Sequence, residues 1–396
     1  MNVEKDTLLE STEWLSVAAR LRSNVLEPIK RRLVGKDEII EVMGVSLIAG
    51  ENTFLLGPPG TGKSALVQEL ASRLNGRSFD YLLTRFTEPS ELFGPFDLRR
   101  LREGDLVTNT EGMLPEADFV FLDELLNANS AVLNSLLMAL NERVFRRGRQ
   151  TSKLPMLLAI GASNRLPDDE ALAALFDRFL LRVHCGNVDN DRLGEVLDVG
   201  WQRESTQIPE PTLSIDDAKI LQAAIVTVNL NASRKAYIAL VGRLREAGMP
   251  ISDRRAVRLQ RALAASAIVS GRDSTIVSDL WVLRYIWDNP AQMEMLNAHI
   301  ESVIKEFYNE ESHQQSDHPL ARPDQGPEPE LLSQALDLIA SDIAKPSAVD
   351  SLSLLAARVE WVKNSDSREH LRERVAEIRD SLRRFAESAE STGKRA

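Results

Sequence analysis

The stretch GPPGTGKS, residues 57–64, has the residue types and spacing that bind a nucleoside triphosphate. Its glycines at 57, 60 and 62 leave backbone N–H groups free to curl around phosphate oxygens, and the helix predicted after it adds positive potential. Lys63 is expected to contact the β and γ phosphates, and Ser64 to bind Mg²⁺. The predicted ATP-binding residues here are Gly57, Pro58, Pro59, Gly60, Thr61, Gly62, Lys63, Ser64 and Ala65.

Two adjacent carboxylates, Asp123 and Glu124, follow the apolar run FVFL. Open α/β sheets bind their ligands at the carboxyl ends of the strands, so a strand that ends in Asp-Glu delivers both acids to the site. Asp123 is expected to hold Mg²⁺, mostly through water, and Glu124 to act as the general base that polarises the attacking water. Together with the glycine loop, the pair predicts hydrolysis of ATP to ADP and phosphate.

A parallel α/β sheet is the structure that would bring these groups together. Apolar runs of strand length alternate with amphipathic helical stretches over residues 35–185, which is typical of a sheet covered on both faces. The predicted strands are Thr53–Leu56, Phe79–Thr84, Phe119–Leu122, Met156–Ala162 and Phe179–Val183. The glycine loop follows the first strand and opens the helical stretch ALVQELASRL, as a phosphate-binding loop requires. We assign residues 1–188 to a nucleotide-binding αβα core.

The remaining residues are predicted to be helical apart from one linker. Residues 189–308 form an all-α domain, in which Ser214 and Asp217 have the spacing of a capping box. Residues 309–330 are rich in Pro, Gln, Asp and Glu and are predicted to be a flexible linker. Residues 331–396 form a small helical module. Its last stretch carries one apolar face, made of Leu371, Val375, Ile378, Leu382 and Phe385, which fits either helices packed on each other or a coil for a partner.

Composition limits the function classes. The net charge of -11 argues against non-specific nucleic-acid binding over the whole surface, because phosphate neutralisation needs a basic face. An acidic chain can still carry a local basic loop. The single cysteine, Cys185, cannot form an internal disulfide and is expected to be a buried structural thiol in a reducing compartment. No apolar stretch reaches membrane-span length, and the first 15 residues lack a signal-peptide layout, so we expect a cytoplasmic protein without membrane insertion.

The motifs, in their order and spacing, resemble the MoxR group of AAA+ ATPases, and most closely its RavA-like branch. Four stretches carry the resemblance: GPPGTGKS at 57–64, GMLPEADFVFLDELLNANSAVLNSLLMALNERVF at 112–145, GASN at 161–164 and ALFDRFLLRV at 174–183. It covers roughly residues 20–300. It implies a P-loop αβα core followed by an all-α lid domain, with the C-terminal helical module outside the resemblance.

The resemblance also implies roles for individual residues. Asn164 would be the sensor-1 residue that positions the lytic water, and Arg178 the arginine finger that reaches the neighbouring subunit's ATP. Arg254, in SDRRAVRL, would be the sensor-2 arginine that contacts the nucleotide, with Arg255 as the alternative. Val34 and Gly35 match the segment that cradles adenine in related ATPases. Closure of the cleft between core and lid on ATP is expected to pass motion to a client.

Two further segments resemble client-facing parts of this clade. Residues 90–117 resemble a helix-2 insert that points into the ring's pore, and residues 144–153 form a predicted hairpin nearby. Their arginines either contact an acidic partner or face water; they are Arg99, Arg100, Arg102, Arg146, Arg147 and Arg149. Asn127 replaces a basic residue that many relatives carry, so a contact between subunits is expected to differ.

The favoured function is an ATP-driven, chaperone-like ring motor that remodels or assembles a protein client. The family implies a hexamer and a partner with a von Willebrand A domain. Other classes remain open: a nucleic-acid-dependent ATPase, which the acidic balance opposes, and the motor subunit of a metal chelatase, for which no His or Cys ligand cluster is present in the sequence. A small-molecule kinase would need a substrate pocket and no client-facing insert.

Overall fold

The nucleotide-binding region is built on one parallel sheet. The computed structural model describes residues 14–102, 106–147, 150–205, 213–307, 318–321, 329–341, 348–359, 362 and 364–393. Five strands pair in the order β2-β3-β6-β1-β7, all parallel, and two more form an antiparallel hairpin. The strands are β1 Asn52–Leu56, β2 Ser78–Leu82, β3 Phe119–Asp123, β4 Val144–Arg147, β5 Gln150–Lys153, β6 Leu158–Ser163 and β7 Phe179–His184.

Helices cover both faces of this sheet, so the central strands are buried throughout. Residues 14–20 are helical and continue into a π-helical turn, Leu21–Leu26. The α-helices that follow in this region are α1 Glu27–Arg32, α2 Asp37–Ala49, α3 Lys63–Arg73, α4 Pro89–Phe93, α5 Leu98–Arg102, α6 Ser130–Glu142 and α7 Glu170–Phe176. Short 3₁₀ turns at Leu114–Glu116 and Leu125–Asn127 flank β3.

The region after β7 is helical, as the sequence predicts. Its α-helices are α8 Leu193–Ser205, α9 Ile215–Ala224, α10 Asn231–Glu246, α11 Asp253–Val269 and α12 Met293–Phe307. A long 3₁₀ segment, Val277–Tyr285, lies between α11 and α12, and shorter 3₁₀ turns are Asn190–Arg192, Ile225–Thr227 and Pro290–Gln292. The capping box of Ser214 and Asp217 begins α9. Apolar side chains of this region and of the α/β region form one continuous core.

The two segments predicted from sequence to face a client are described in part by the structure. Between α4 and β3, Phe96 and Thr108 form an isolated antiparallel bridge, and residues 103–105 between them lie outside the described residues. The predicted hairpin is formed by β4 and β5. Arg149 lies outside the described residues. The exposed arginines Arg99, Arg100, Arg102 and Arg146 face solvent, which is compatible with either prediction for them.

Part of the predicted linker is packed. His318 and Leu320 are buried, and His318 stacks on Trp281 with ring centroids 4.2 Å apart. Arg284 donates to the carbonyl oxygens of Leu320 and Ala321 at 2.5 and 3.2 Å. The prediction of a flexible linker over 309–330 is therefore wrong for residues 318–321, because buried hydrogen bonds and stacking hold them. Most of its other residues, 309–317 and 322–328, lie outside the described ones.

The C-terminal helices have a small core of their own. They are α13 Pro329–Ser341, α14 Ala348–Val359 and α15 Ser365–Gly393, and each packs against the other two. Leu371, Val375 and Ile378 are buried in this core, while Phe385 is 48% exposed. The apolar face predicted for the last helix therefore serves mainly helix-on-helix packing. Helix α14 also contacts the π-helical turn near the start of the chain.

The fold class predicted from sequence is confirmed: a parallel α/β core precedes helical regions. In the part of the chain that the structure describes, no helix is both long enough and apolar enough to cross a bilayer.

Candidate nucleotide site

The glycine loop is held tightly at its first residue and open at its tip. The Gly57 N–H donates to the Ser163 carbonyl at 2.9 Å, which extends the β1–β6 ladder. A Cβ on Gly57 would lie 2.0 Å from the Cys185 carbonyl oxygen, so only glycine fits there. Gly60 and Gly62 have φ of +79° and +82°, and a Cβ on either would meet no heavy atom within 4 Å. The loop thus offers left-handed backbone and free space where a phosphate would bind.

Lys63 is the first residue of α3 and is buried against the loop. Its Nζ donates to the carbonyl oxygens of Gly57 and Pro58 at 2.9 and 2.8 Å. The Thr61 hydroxyl donates to the Pro58 carbonyl at 3.0 Å and so closes the loop on itself. A buried ammonium that donates to neutral carbonyl oxygens favours a nearby anion, because charge-assisted bonds to phosphate oxygens are stronger.

The two acids lie where the sequence predicts, at the carboxyl end of β3. The Asp123 carboxylate accepts from the Glu124 N–H at 3.0 Å. Glu124 has φ 49° and ψ 40°, the left-handed region that a non-glycine residue adopts at a cost.

The carboxyl ends of three adjacent strands bring the predicted groups together. In the order β3-β6-β1, Asp123 and Glu124 end β3, Asn164 follows β6, and the glycine loop follows β1. Ser163 pairs with Leu56, so exposed Asn164 comes next to the start of the loop. Neighbouring strands are about 4.8 Å apart, so the ends of β3 and β1, with β6 between them, are about 10 Å apart.

The residues present fit a nucleotide with its magnesium ion. The Ser64 hydroxyl and the Asp123 carboxylate are hard oxygen donors, which Mg²⁺ prefers, and both belong to this edge of the sheet. Among the described residues no group of three or more His, Cys, Asp or Glu side chains is placed to hold a metal. That is compatible with Mg²⁺, which takes most of its ligands from phosphate and water.

Two residues lie beside this site without having been predicted there from sequence, although the prediction that Cys185 is buried is confirmed. Asp80, on β2, has a pKa raised by burial and further by the Asp123 charge, against a hydrogen bond from Gln68 at 3.3 Å. Alternation of side chains along β2 could have predicted this, since Asp80 and Asp123 lie on the same face of two paired strands. Cys185 is buried, and its Sγ lies 3.4 Å from Thr61 Oγ1. The thiol thus packs against the glycine loop, and the position of Cys185 after β7 in the sequence does not by itself predict this contact.

The adenine-binding prediction concerns Val34 and Gly35, which precede α2. Gly35 has φ +70°, and its Cβ would approach the Val188 side chain at 3.0 Å. Lys36 is buried and donates to the Gly186 carbonyl at 2.6 Å. These contacts fix the 34–35 turn against the segment after β7, at the same edge of the sheet as the P-loop. A contact with adenine stays a prediction.

Arg178 lies at the opposite end of the sheet. It precedes β7, and its carbonyl accepts from the Asn52 side chain, at the start of β1, at 3.1 Å. A five-residue strand spans about 17 Å, so Arg178 is roughly that far from the loop after β1. Its Nε donates to the Ala174 carbonyl at 3.2 Å, and its side chain is partly exposed. The structure therefore does not bring Arg178 to the P-loop of its own chain.

Arg254 and Arg255 differ in their surroundings. Arg255 is buried and contacts Asp288, whereas Arg254 is exposed on the first turn of α11. One turn further on, Arg258 forms an ion pair with Glu51, just before β1. The start of α11 is thus fixed to the amino end of β1, about a strand length from the P-loop of the same chain. A contact between Arg254 and the nucleotide of its own chain does not fit this placement, and the sensor-2 role of Arg254 stays a prediction.

Asn127 has a partner in the same chain. Arg165, next to Asn164, donates to the Asn127 side chain at 3.3 Å and to the Leu126 carbonyl at 2.8 Å. The guanidinium thereby joins the turn after Glu124 to the segment after β6. The predicted change in a contact between subunits is not tested by this internal contact.

Comparisons with known proteins agree with this geometry. A family model described as the MoxR domain in the MoxR-vWA-beta-propeller ternary systems matches residues 19–223, and an AAA lid domain model matches residues 233–300. An uncharacterized protein of Methanocaldococcus jannaschii is 34% identical over 290 residues, covering 72% of this chain and 77% of the relative. Chaperone MoxR1 of Mycobacterium tuberculosis is 24% identical over 288 residues, covering 68% and 74%.

A solved structure from Cytophaga hutchinsonii, described as a "putative ATPase", has the same fold. It aligns with a TM-score of 0.61 at 22% identity, over 75% of this chain and 97% of that one. The nearness to the RavA-like branch stays a prediction. Since the MoxR model covers more than half of a chain whose glycine loop, paired acids and sheet order are those of a P-loop ATPase, the protein belongs to the MoxR family of AAA+ ATPases.

Proposed function

We propose that this protein hydrolyses ATP to ADP and phosphate at the carboxyl ends of β1, β3 and β6. Lys63 and the loop N–H groups bind the phosphates, while Ser64 and Asp123 hold Mg²⁺, which neutralises charge on the phosphates when bound. Glu124 accepts the proton of the attacking water, and Asn164 orients that water. The observation that carries this proposal is the convergence of these side chains around one open loop.

The two arginines at the other end of the sheet serve a neighbouring copy. Arg178 and Arg254 are about 17 Å from the P-loop of their own chain, so a charge-stabilising guanidinium must come from another subunit. A contact of this kind joins two different surfaces, and such contacts form a ring when they close. We therefore propose a homo-oligomeric ring, with six subunits as the family expectation, and a nucleotide at each junction.

The motor acts on a protein client. Hydrolysis changes the relative position of neighbouring subunits and moves residues 94–109 and the β4–β5 hairpin, whose exposed arginines suit an acidic client surface. The matching model's description includes a von Willebrand A component, and one relative is named a chaperone, which supports a partner with such a domain and a chaperone-like role. We propose residues 1–188 as the motor core, 189–308 as the lid and 331–396 as an accessory module.

Three variants test the ATPase and its assembly. Lys63→Ala should lose nucleotide binding, and Glu124→Gln should bind ATP but stall. Arg178→Ala should bind ATP yet lose turnover, and mixing it with Lys63→Ala should restore activity, because each supplies what the other lacks. Normal hydrolysis by Glu124→Gln would refute the base assignment. Salt-sensitive stimulation of wild-type turnover by DNA or RNA would favour the nucleic-acid alternative instead.

A further inference from the structure

Asp288 lies between two buried guanidiniums that come from different parts of the chain. Its Oδ1 accepts from Arg182, on β7, at 2.5 Å. Arg255, on α11, donates to both oxygens of the same carboxylate at 3.2 Å. Arg182 also donates to the Trp287 carbonyl at 2.7 Å, and Arg255 to the Ile286 carbonyl at 2.6 Å. A single acid and its preceding backbone thus join β7 to α11.

On the β7 side, this network reaches the segment that carries Arg178. Arg182 Nη2 donates to the Phe176 carbonyl at 3.3 Å. The same guanidinium lies over the Phe176 ring, 4.2 Å from its centroid. Phe176 is two residues before Arg178, so the position of Arg182 sets the backbone from which the finger extends.

On the α11 side, the network fixes the first helical turn. Arg255 is the third residue of the helix, and its backbone N–H donates to the Ser252 cap at 3.2 Å. Exposed Arg254 is its direct neighbour. The two arginines proposed to face a neighbour's nucleotide are therefore connected through Arg182, Asp288 and Arg255.

We infer that Asp288 is a positioning residue, which fixes the segment carrying Arg178 relative to the helix start carrying Arg254. The inference rests on the proposed role of Arg178 at a neighbouring subunit. Two groups that must meet one γ-phosphate need a fixed separation, since a misplacement of about 1 Å costs on the order of 100-fold in rate.

The charge balance makes the carboxylate necessary. Burial, and next the Arg255 charge, lowers the pKa of Arg182 to about 10, and Asp288 opposes that shift. Replacing Asp288 by Asn keeps the size of the side chain but removes the carboxylate that lies between the two guanidiniums, and leaves the charge of Asp177 as a weaker influence on Arg182. Repulsion between the guanidiniums would separate β7 from α11 while the P-loop, at the other end of the sheet, stays intact.

The test places Asp288→Asn in one kind of subunit at a time. Lys63→Ala subunits act as donors, which supply arginines but bind no ATP, and Arg178→Ala subunits act as acceptors. With Asp288→Asn added to the donor, we expect at least a tenfold loss of restored kcat, with KM for ATP unchanged. With Asp288→Asn added to the acceptor, turnover should match the parent mixture, because the acceptor's own arginines do not serve its site.

Two controls separate positioning from general stability. Asp279→Asn removes a carboxylate that is fully buried and bonded to Arg272 and Ser266 in the same region, so it should lower the melting temperature with equal effects in donor and acceptor. Arg255→Lys keeps the positive charge but cannot donate to both carboxylate oxygens of Asp288 at once. It should therefore reproduce the donor-specific defect even if Asp288→Asn folds poorly.

The outcomes are distinct. A donor-specific loss for Asp288→Asn or Arg255→Lys supports the inference, and equal losses in both arms, or none, overturn it. If the parent mixture of Lys63→Ala and Arg178→Ala restores no turnover, the proposed finger itself fails and the role of Asp288 falls with it.

Discussion

Gly57→Ala should disable the P-loop by a backbone collision. The new Cβ would lie 2.0 Å from the Cys185 carbonyl oxygen and 2.8 Å from its carbon. An ordinary contact needs about 3.5 Å, so the two backbones must part by roughly 1.5 Å. This separation stretches the bond from Cys185 N–H to Leu56, at 2.7 Å, and presses Gly57 towards Ser163 on the other side of β1. Losing the bond to Leu56 costs about 1 kcal/mol, and a shift of this size should reduce kcat/KM by on the order of 100-fold.

The assay combines titration with a fluorescent ATP analogue, steady-state hydrolysis and thermal unfolding. Gly242→Ala is the matched control, because Gly242 lies in the middle of α10 and its Cβ would meet nothing within 4 Å. That change should stabilise the protein by about 0.5–1 kcal/mol and leave hydrolysis unaltered. Wild-type nucleotide affinity in a folded Gly57→Ala variant would show that the loop tolerates the collision, and the reasoning would be wrong.

Three further changes follow from particular contacts. Glu124→Gly should abolish turnover yet raise stability by about 1 kcal/mol in chemical denaturation, because glycine adopts a φ of 49° without backbone strain. Its control is Asn75→Gly, also at φ 49°, which should raise stability without loss of turnover. Asn129→Ala should lower stability by about 1–2 kcal/mol, since the amide caps α6 and donates to the Thr87 carbonyl at 2.7 Å; unchanged melting would contradict this. Burial lowers the pKa of His318, so the imidazole takes up a proton in the unfolded chain at a higher pH than in the folded protein. The stability from this group should therefore be fully present above pH 6.5 and be lost as the pH falls below it. Melting temperatures measured at pH 5.5 and 7.5 should differ less for His318→Gln than for the wild type.

The direction of the His318 effect follows from its hydrogen bonds. Leu320 N–H donates to Nδ1 at 3.2 Å, so the neutral ring carries its proton on Nε2 and donates to Glu41 at 3.0 Å. Burial alone would raise the pKa of Glu41, but Arg22 and Lys30 hold it well below its usual range. A proton on Nδ1 would remove the bond from Leu320 and add a third positive charge beside Glu41. An equal pH slope in wild type and His318→Gln would assign the effect to another group.

Local patterns explain what the sequence predicts well. The glycine loop, its preceding strand and its following helix are contiguous, so residue order alone positions Lys63 at the start of α3. Asp123 and Glu124 reach the same edge because all five strands of the main sheet run parallel. The alternation of apolar runs and helices gives the sheet, and one predicted strand, Phe79–Thr84, is only two residues too long at its end.

Long-range polar pairing explains what the sequence does not predict. Arg182 and Asp288 are separated by 106 positions, and Glu41 and His318 by 277. With 48 basic and 59 acidic residues in the chain, spacing cannot select these partners, since burial in the folded core decides them. The composition of residues 309–330 indicates a linker, yet four residues within it are fixed by Trp281, Arg284 and Glu41. The position of α11 at the amino end of β1 depends in the same way on Arg258 and Glu51.

The separation of the binding groups from Arg178 predicts that turnover depends on protein concentration. In the proposed mechanism one chain alone binds ATP, but neither Arg178 nor Arg254 of that chain reaches across roughly 17 Å to the γ-phosphate. Hydrolysis per chain should therefore rise with concentration as subunits associate, in parallel with the sedimentation coefficient, by 10³-fold or more if the finger acts as in other P-loop ATPases. Arg178→Ala should associate in the same way without the rise. A wild-type rate per chain that stays constant while the sedimentation coefficient grows would mean that each nucleotide site is complete within its own subunit.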